Sequence, residues 1–79
     1  MTGNPKEREI EMMRFCLFGS GRMGEVYAKI IALHKEAELV AVVSTNRVTA
    51  SELTNRYGGQ VFQSFTDCLG AVEVDAAII

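Results

Sequence analysis

The feature that most constrains this chain of 79 residues is a glycine motif placed between two patterned segments. Gly19, Gly21 and Gly24 form the pattern Gly-x-Gly-x-x-Gly. The motif follows a short apolar run, Met13–Phe18, which is typical of a buried strand. From residue 22 to residue 35 the apolar positions recur at a spacing of three or four, as on one face of a helix. These positions are Met23, Val26, Tyr27, Ile30, Ile31 and Leu33. The sequence therefore predicts a strand, a tight turn and a helix in direct succession.

The rest of the chain repeats this alternation. Residues 38–43 are apolar on both faces, as in strands of parallel sheets that are covered on both sides. A capping box from Thr49 to Glu52 predicts that a second helix begins at Thr49, and Gly58 with Gly59 supplies a left-handed stop. The later elements are a third strand near residues 61–62, a brief helix opened by the capping box Ser64 to Asp67 and running through Leu69, and a fourth strand at residues 74–79.

The spacing of these elements predicts the fold class. Connections that contain a helix are the kind that join parallel strands, so the chain is expected to be an α/β protein. We predict a truncated Rossmann fold, a doubly wound parallel sheet of four strands in the order 3-2-1-4. With right-handed crossovers, the first two helices share one face of the sheet and the short third helix lies on the other, where an apolar patch stays bare.

Composition and charge exclude several classes of function. The net charge is -2, the isoelectric point is near 5.3 and the basic residues are scattered, so a nucleic-acid partner is not expected. No apolar run reaches the roughly 18 to 20 residues of a membrane span, and the first twelve residues are too charged for a signal peptide. A cytoplasmic protein is the expectation. Cys16 and Cys68 lack CxxC spacing and are expected to be reduced, and no residue pattern predicts a metal site.

The glycine motif predicts a phosphate-binding loop. Gly19 permits the tight turn, Gly21 lets the backbone approach a pyrophosphate, and Gly24 allows the helix to pack closely on the strand. The loop also contains Ser20, and the free N–H groups of Arg22 and Met23 face the phosphates at the positive end of the helix dipole. The alternative is a glycine-rich turn without a ligand. The strand before the motif and the helix after it favour dinucleotide binding. Residues 13–79 are therefore predicted to be the incomplete N-terminal half of a dinucleotide-binding domain, and residues 1–12 a disordered polar extension.

The end of the second predicted strand bears on which dinucleotide is bound. An acidic residue is usual there when the ribose 2′-hydroxyl of NAD is bound, but this chain has Ser44, followed by Thr45, Asn46 and Arg47. Without a carboxylate a 2′-phosphate is not repelled, and these side chains can donate hydrogen bonds while Arg47 adds a charge. The sequence favours NADP over NAD, with Arg47 as a solvated loop residue left as the alternative.

Several segments together resemble a known family. They are Arg14-Phe-Cys-Leu-Phe-Gly-Ser-Gly-Arg-Met-Gly24, Ala37-Glu-Leu-Val-Ala-Val-Val43, Arg56-Tyr-Gly58, Ser64-Phe and Val74-Asp-Ala-Ala-Ile-Ile79. Residues 13–79 resemble the N-terminus of the Gfo/Idh/MocA oxidoreductases, and most of all the inositol 2-dehydrogenase branch. The resemblance implies an enzyme that moves hydride between a nicotinamide and a carbon of a polyol or sugar. The resemblance is also compatible with a full-length parent that forms a homo-oligomer. Ser44 departs from the Asp that is usual in the inositol branch.

The resemblance assigns no catalytic residue to this chain. In that family the Glu-Lys-Pro segment with its catalytic lysine, the later His and Asp residues and the substrate domain all follow the fourth strand. The chain by itself is therefore expected to be inactive. Two alternatives stay open: a family member acting on another sugar or a dihydrodiol, and a non-catalytic fragment that binds nucleotide or pairs through its fourth strand with another chain.

Overall fold

The computed structural model describes residues 12–79, in which four strands alternate with three helices. The predicted polar extension, residues 1–12, lies outside the described residues apart from Met12. The elements are β1 (Met13–Phe18), α1 (Arg22–Leu33), β2 (Ala37–Val43), α2 (Arg47–Tyr57), β3 (Gln60–Phe62), α3 (Phe65–Ala71) and β4 (Ala76–Ile78). The predicted number, type and order of the elements are confirmed.

All the strands of the sheet are parallel, and their order is β3-β2-β1-β4, which confirms the predicted 3-2-1-4 arrangement. The pairing of β1 with β2 shifts by one residue after Phe15, which pairs with Leu39 while Cys16 pairs with Ala41. Val40 is the extra residue of this bulge, and a bulge bends the strand that contains it. Val40 therefore packs on the same side of the sheet as Ala41 instead of alternating with it.

The sheet separates two apolar clusters, as right-handed crossovers require. The cluster beneath α1 and α2 contains Leu17, Ala28, Ile31, Leu39, Val42, Ala50 and Leu53. The cluster beneath α3 contains Cys16, Ala41, Val43 and Cys68. The prediction that the first two helices share one face and the third lies on the other is confirmed.

The buried face of α1 is not the one that its largest apolar residues suggest. The residues of α1 that are buried are Gly24, Ala28 and Ile31. Met23, Val26, Ile30 and Leu33 are between 42% and 76% exposed, so most of the predicted inner face was assigned wrongly. Small residues such as Gly24 and Ala28 allow the helix to lie close to the sheet. They therefore form the contact with the sheet, and the larger apolar residues on the neighbouring side of the helix remain outside. An apolar stripe consequently stays on the outside of α1.

The N-terminus of α2 also differs from the prediction. The helix begins at Arg47 and its N-cap is Asn46, whose side chain accepts a hydrogen bond from the Thr49 amide at 3.2 Å. Thr49 therefore lies inside the first turn and is not the N-cap. Asparagine is at least as good an N-cap as threonine, and the cap at Asn46 leaves the Thr49 hydroxyl available for other contacts.

The remaining ends are set by local hydrogen bonds. Ser64 caps α3 as predicted, accepting from the Asp67 amide at 3.1 Å, and the helix runs two residues past the predicted end. Gly58 and Gly59 have φ angles of 96° and 95°, which confirms the left-handed stop after α2. The last strand is shorter than predicted and begins at Ala76. Just before it, the Asp75 amide donates to the Arg14 carbonyl and the Asp75 carboxylate accepts from the Arg14 amide, each at 2.8 Å.

Candidate functional site

The candidate site lies where the carboxyl ends of β1 and β2 meet the first turns of α1 and α2. Gly19 continues the sheet, since its amide donates to the Val43 carbonyl at 2.9 Å, and the Ser44 amide donates to Phe62 at the same distance. β1 lies between β2 and β4, so the chain order reverses at this strand. In open α/β sheets, ligands bind in the crevice at such a reversal, outside the carboxyl ends of the strands.

The three glycines of the loop have different local roles. Gly19 has a φ of 92°, a conformation that side chains rarely adopt. A Cβ added to Gly24 would lie 2.9 Å from the Gly19 carbonyl oxygen, which confirms the close approach predicted at that position. A Cβ added to Gly21 would meet no atom within 4 Å. The space beside Gly21 is therefore open, and the backbone there can be approached from outside.

The first turn of α1 presents backbone donors to this space. Gly21 is the N-cap of α1 and provides no side-chain hydrogen bond, so the cap leaves the first amides of the helix without a side-chain acceptor. The first four N–H groups of any helix have no acceptor within the helix itself. Arg22 and Met23 are exposed at this end. Open N–H groups and the positive end of the helix dipole favour an anion here, which is the fit expected for a pyrophosphate.

A cluster of three hydroxyl groups joins the loop to β2 and α2. The Ser20 hydroxyl lies 2.9 Å from the Ser44 hydroxyl and 2.6 Å from that of Thr49. Ser20 is 9% exposed. The Ser44 hydroxyl also accepts from the Asn46 amide at 3.1 Å. These contacts fix the loop, the end of β2 and the first turn of α2 relative to one another.

Thr49 is the member of this cluster that sequence reasoning missed. Its place in an apparent capping box concealed the contact with Ser20. The signal that could have found it is Asn46, because an asparagine three residues before Thr49 supplies an equally good cap and releases the threonine hydroxyl.

The remaining predicted site residues lie on the exposed start of α2. Thr45, Asn46 and Arg47 are all exposed, with Asn46 as the cap and Arg47 as the first helical residue. The first turn of α2 contains no acidic residue. A cation at a helix N-terminus is unfavourable for the helix itself, but it adds to the attraction of an external anion.

An ion pair closes the outer side of the hollow between α1 and α2. Arg56 donates to the Glu25 carboxylate at 2.7 Å, and both side chains are largely exposed. Hydrogen bonds that the guanidinium donates to Tyr57 and Glu25 raise the pKa of Arg56, which keeps its charge at any working pH. The hollow is lined by Ser20, Gly21, Arg22, Glu25, Thr49, Glu52, Leu53 and Arg56. It therefore combines loop backbone, hydroxyl groups and charged side chains.

Two further features of residues 12–79 bear on function. No group of three or more His, Cys, Asp or Glu side chains lies close enough to hold a metal ion within this part of the chain. Among the same residues, no helix has the length and apolar character to cross a membrane.

Comparisons with known proteins point to one family. Residues 13–79 match the family model for GFO_IDH_MocA, described as an oxidoreductase family with an NAD-binding Rossmann fold. Over 67 residues the chain is 34% identical to the inositol 2-dehydrogenase of Rhizobium meliloti, covering 85% of this chain and 20% of that protein. The chain therefore spans about a fifth of the length of this curated relative.

Solved structures agree with the sequence match. The myo-inositol dehydrogenase of Corynebacterium glutamicum superposes with a TM-score of 0.77 at 29% identity, over 84% of this chain and 20% of that one. The WlbA dehydrogenase of Bordetella pertussis, solved with NADH and UDP-GlcNAcA, superposes with a TM-score of 0.78 at 31% identity, over 87% and 20%. The fold of residues 12–79 is thus that of the first part of these dehydrogenases.

Proposed function

The chain belongs to the Gfo/Idh/MocA oxidoreductase family, and on that premise we propose that residues 13–79 form the first half of a nicotinamide dinucleotide site. The parent enzyme would move hydride between the nicotinamide and a carbon of a polyol or sugar alcohol, as an inositol 2-dehydrogenase does. The observation that carries the proposal is the uncapped start of α1 facing open space at Gly21, at the point where the order of the strands reverses.

The residues around this point divide into two groups. Gly19, Ser20 and Gly21 with the amides of Arg22 and Met23 would hold the pyrophosphate, and Gly24 keeps α1 close enough to do so. The second group, Ser44, Thr45, Asn46 and Arg47, would hold the adenosine ribose with its 2′ substituent. The bound cofactor would supply the hydride chemistry, while these residues bind and orient it.

The second group favours NADP over NAD. Ser44 provides a hydroxyl where an acid would repel a 2′-phosphate. The first turn of α2 has no acidic side chain, and Arg47 stands exposed at its start. An arginine and backbone donors at a helix N-terminus make charge-assisted hydrogen bonds to a phosphate. NAD is the alternative cofactor, because WlbA was solved with NADH.

A second candidate concerns the polypeptide by itself. Because the chain spans about 20% of its relatives and holds none of the catalytic residues implied by the family, nucleotide binding without turnover is the alternative. Substrate binding and catalysis would then belong only to the longer parent. A cytoplasmic location without nucleic-acid or membrane partners, and homo-oligomerisation of the parent, complete the proposal.

The proposal is tested by titrating the purified chain with NADPH and NADH while following nicotinamide fluorescence and the thermal unfolding midpoint. We expect NADPH to raise the midpoint more than NADH. Arg47→Ala should weaken NADPH binding by about 3- to 10-fold and leave NADH binding nearly unchanged, since one phosphate contact is lost. Lys35→Ala is the matched control, because it removes a cation from the turn between α1 and β2, at the amino ends of the strands and away from the candidate site.

The outcomes separate the alternatives. An equal or larger shift with NADH would assign the site to NAD. If neither nucleotide shifts the midpoint of a chain that unfolds cooperatively, residues 13–79 do not form a nucleotide site by themselves. Equal losses of NADPH affinity in Arg47→Ala and Lys35→Ala would show that Arg47 acts only through net charge.

A further inference from the structure

Two cysteines that are 52 positions apart in the sequence meet inside the structure. Cys16 lies in β1 and Cys68 in α3, and both side chains are completely buried. Their sulfur atoms are 3.9 Å apart and share a weak S–H···S hydrogen bond. The candidate nucleotide site uses neither thiol, although Cys16 is only three residues before Gly19.

The pair lies between the strand β1 and the short helix α3. The other buried residues of their cluster are Ala41 and Val43 of β2, and partly buried side chains that include Phe18 and Phe65 pack against it. The helix that carries Cys68 is only seven residues long, and Leu69 next to it is 52% exposed. A disulfide requires a sulfur separation of about 2.05 Å, so the two sulfur atoms must come roughly 2 Å closer to form it.

We propose that Cys16 and Cys68 are an oxidisable pair that closes a disulfide between β1 and α3. The oxidant is a low-molecular-weight disulfide such as glutathione disulfide. The Cys68 thiolate attacks one glutathione sulfur, forming a mixed disulfide and releasing one glutathione thiolate. The Cys16 thiolate then attacks the Cys68 sulfur and expels the second glutathione. The two cysteines lose two electrons and two protons in total, and glutathione disulfide becomes two glutathione thiols.

Burial makes the exchange slow but does not oppose the product. Desolvation, together with the charge and the hydrogen bond of the neighbouring Cys68, raises the pKa of Cys16 to about 12. A thiol in this condition reacts poorly, because the thiolate is the attacking species. Exchange therefore depends on α3 opening from the sheet, and a disulfide that closes a loop of this length stabilises the folded state once it has formed.

The test is an equilibrium measurement on the full chain in mixtures of reduced and oxidised glutathione. Samples are quenched with acid and free thiols are alkylated. Mass spectrometry then gives the fraction of the chain that carries the Cys16–Cys68 disulfide, which is not alkylated and is two hydrogens lighter than the reduced chain. The ratio of disulfide to dithiol at each glutathione composition gives the effective concentration of one thiol toward the other. This value is compared between native buffer and guanidinium chloride. We expect a value at least about tenfold higher in native buffer, and an unfolding midpoint raised by on the order of 10 °C in the oxidised chain.

The variants Cys16→Ala and Cys68→Ala supply the controls, and each should form only a mixed disulfide with glutathione. An effective concentration in native buffer at or below the denatured value would overturn the proposal, since the fold would then disfavour the bond. The proposal would also be overturned if the oxidised chain unfolded at the same temperature as the reduced chain or at a lower one. It would likewise be overturned if neither the reduced nor the oxidised chain unfolded cooperatively.

Discussion

The two faces of the sheet are built in different ways. Beneath α1 and α2 the buried residues include the large aliphatic side chains of Leu17, Ile31, Leu39 and Leu53. Beneath the single short helix α3 the buried residues are two cysteines, Ala41 and Val43. The face with the large core holds in place both helix starts that border the candidate site, whereas the other face brings two thiols together. Stability and site geometry should therefore depend mainly on the first face.

The strongest test of this comparison removes one core side chain from each face. Leu17→Ala, beneath α1, should lower the free energy of unfolding by about 2–5 kcal/mol, because a completely buried leucine leaves a cavity. Val43→Ala, beneath α3, should cost about 1–3 kcal/mol, because fewer buried carbons are removed. Urea denaturation followed by circular dichroism measures both values. A loss for Val43→Ala as large as that for Leu17→Ala would contradict the comparison, because the smaller deletion would then cost as much as the larger one.

A pair of glycines sharpens the comparison at the site. Gly24→Ala would place a Cβ 2.9 Å from the Gly19 carbonyl, so α1 must move away from the loop. We expect a loss of about 1–3 kcal/mol in stability together with weaker nucleotide binding. Gly70→Ala, in α3, is the matched control because its Cβ would meet no atom within 4 Å. Alanine in a helix should add about 0.5–1 kcal/mol there.

Nucleotide titrations and denaturation curves of both glycine variants check this prediction. A Gly24→Ala chain that binds nucleotide as well as the parent chain would remove the close helix approach from the requirements of the site. A destabilised Gly70→Ala chain would show that α3 is more tightly packed than the structure indicates.

A further expected effect is a dependence on pH that belongs to the face of α3. The pKa of Cys16 is about 12 in the folded chain against a usual value of 9.0. Below pH 9 the thiol keeps its proton in both states, and stability is unaffected. Between pH 9 and 12 only the unfolded chain releases the proton, so stability falls, by at most about 1.4 kcal/mol per pH unit for one group.

The control for this titration is Cys16→Ala, whose stability should fall less steeply over the same range. Other groups such as lysine and tyrosine titrate there too, but their contribution is shared by both chains. The difference in slope, measured by chemical denaturation at several pH values, therefore isolates Cys16. Equal slopes would contradict the raised pKa.

Most of the fold could be predicted because local patterns and global topology agree. The apolar runs that end in glycine or a cap identified every strand and helix, and the crossover lengths fixed the sheet as parallel. The inner face of α1 could not be predicted, since two apolar stripes compete and the packing distance to the sheet decides between them. In the same way the role of Thr49 depends on Ser20, a contact across 29 positions that no local pattern encodes.

The glycine loop and the cysteine pair differ in how far the sequence predicts them. The loop residues Gly19 to Gly24 could be predicted as a phosphate-binding loop because the glycine spacing indicates the turn that such a loop requires. The meeting of Cys16 with Cys68 had no signal in the sequence, because the cysteines belong to elements that are brought together only by the last crossover.

The order of elements along the chain also bears on how the protein is made. The residues that form the hydroxyl cluster and the glycine loop all lie between β1 and the end of α2. A ribosome completes these residues before it adds α3 and β4, whereas a domain generally folds as one unit. The framework of the nucleotide site is therefore synthesised first, while Cys68 and the strand that finishes the sheet are still to be translated.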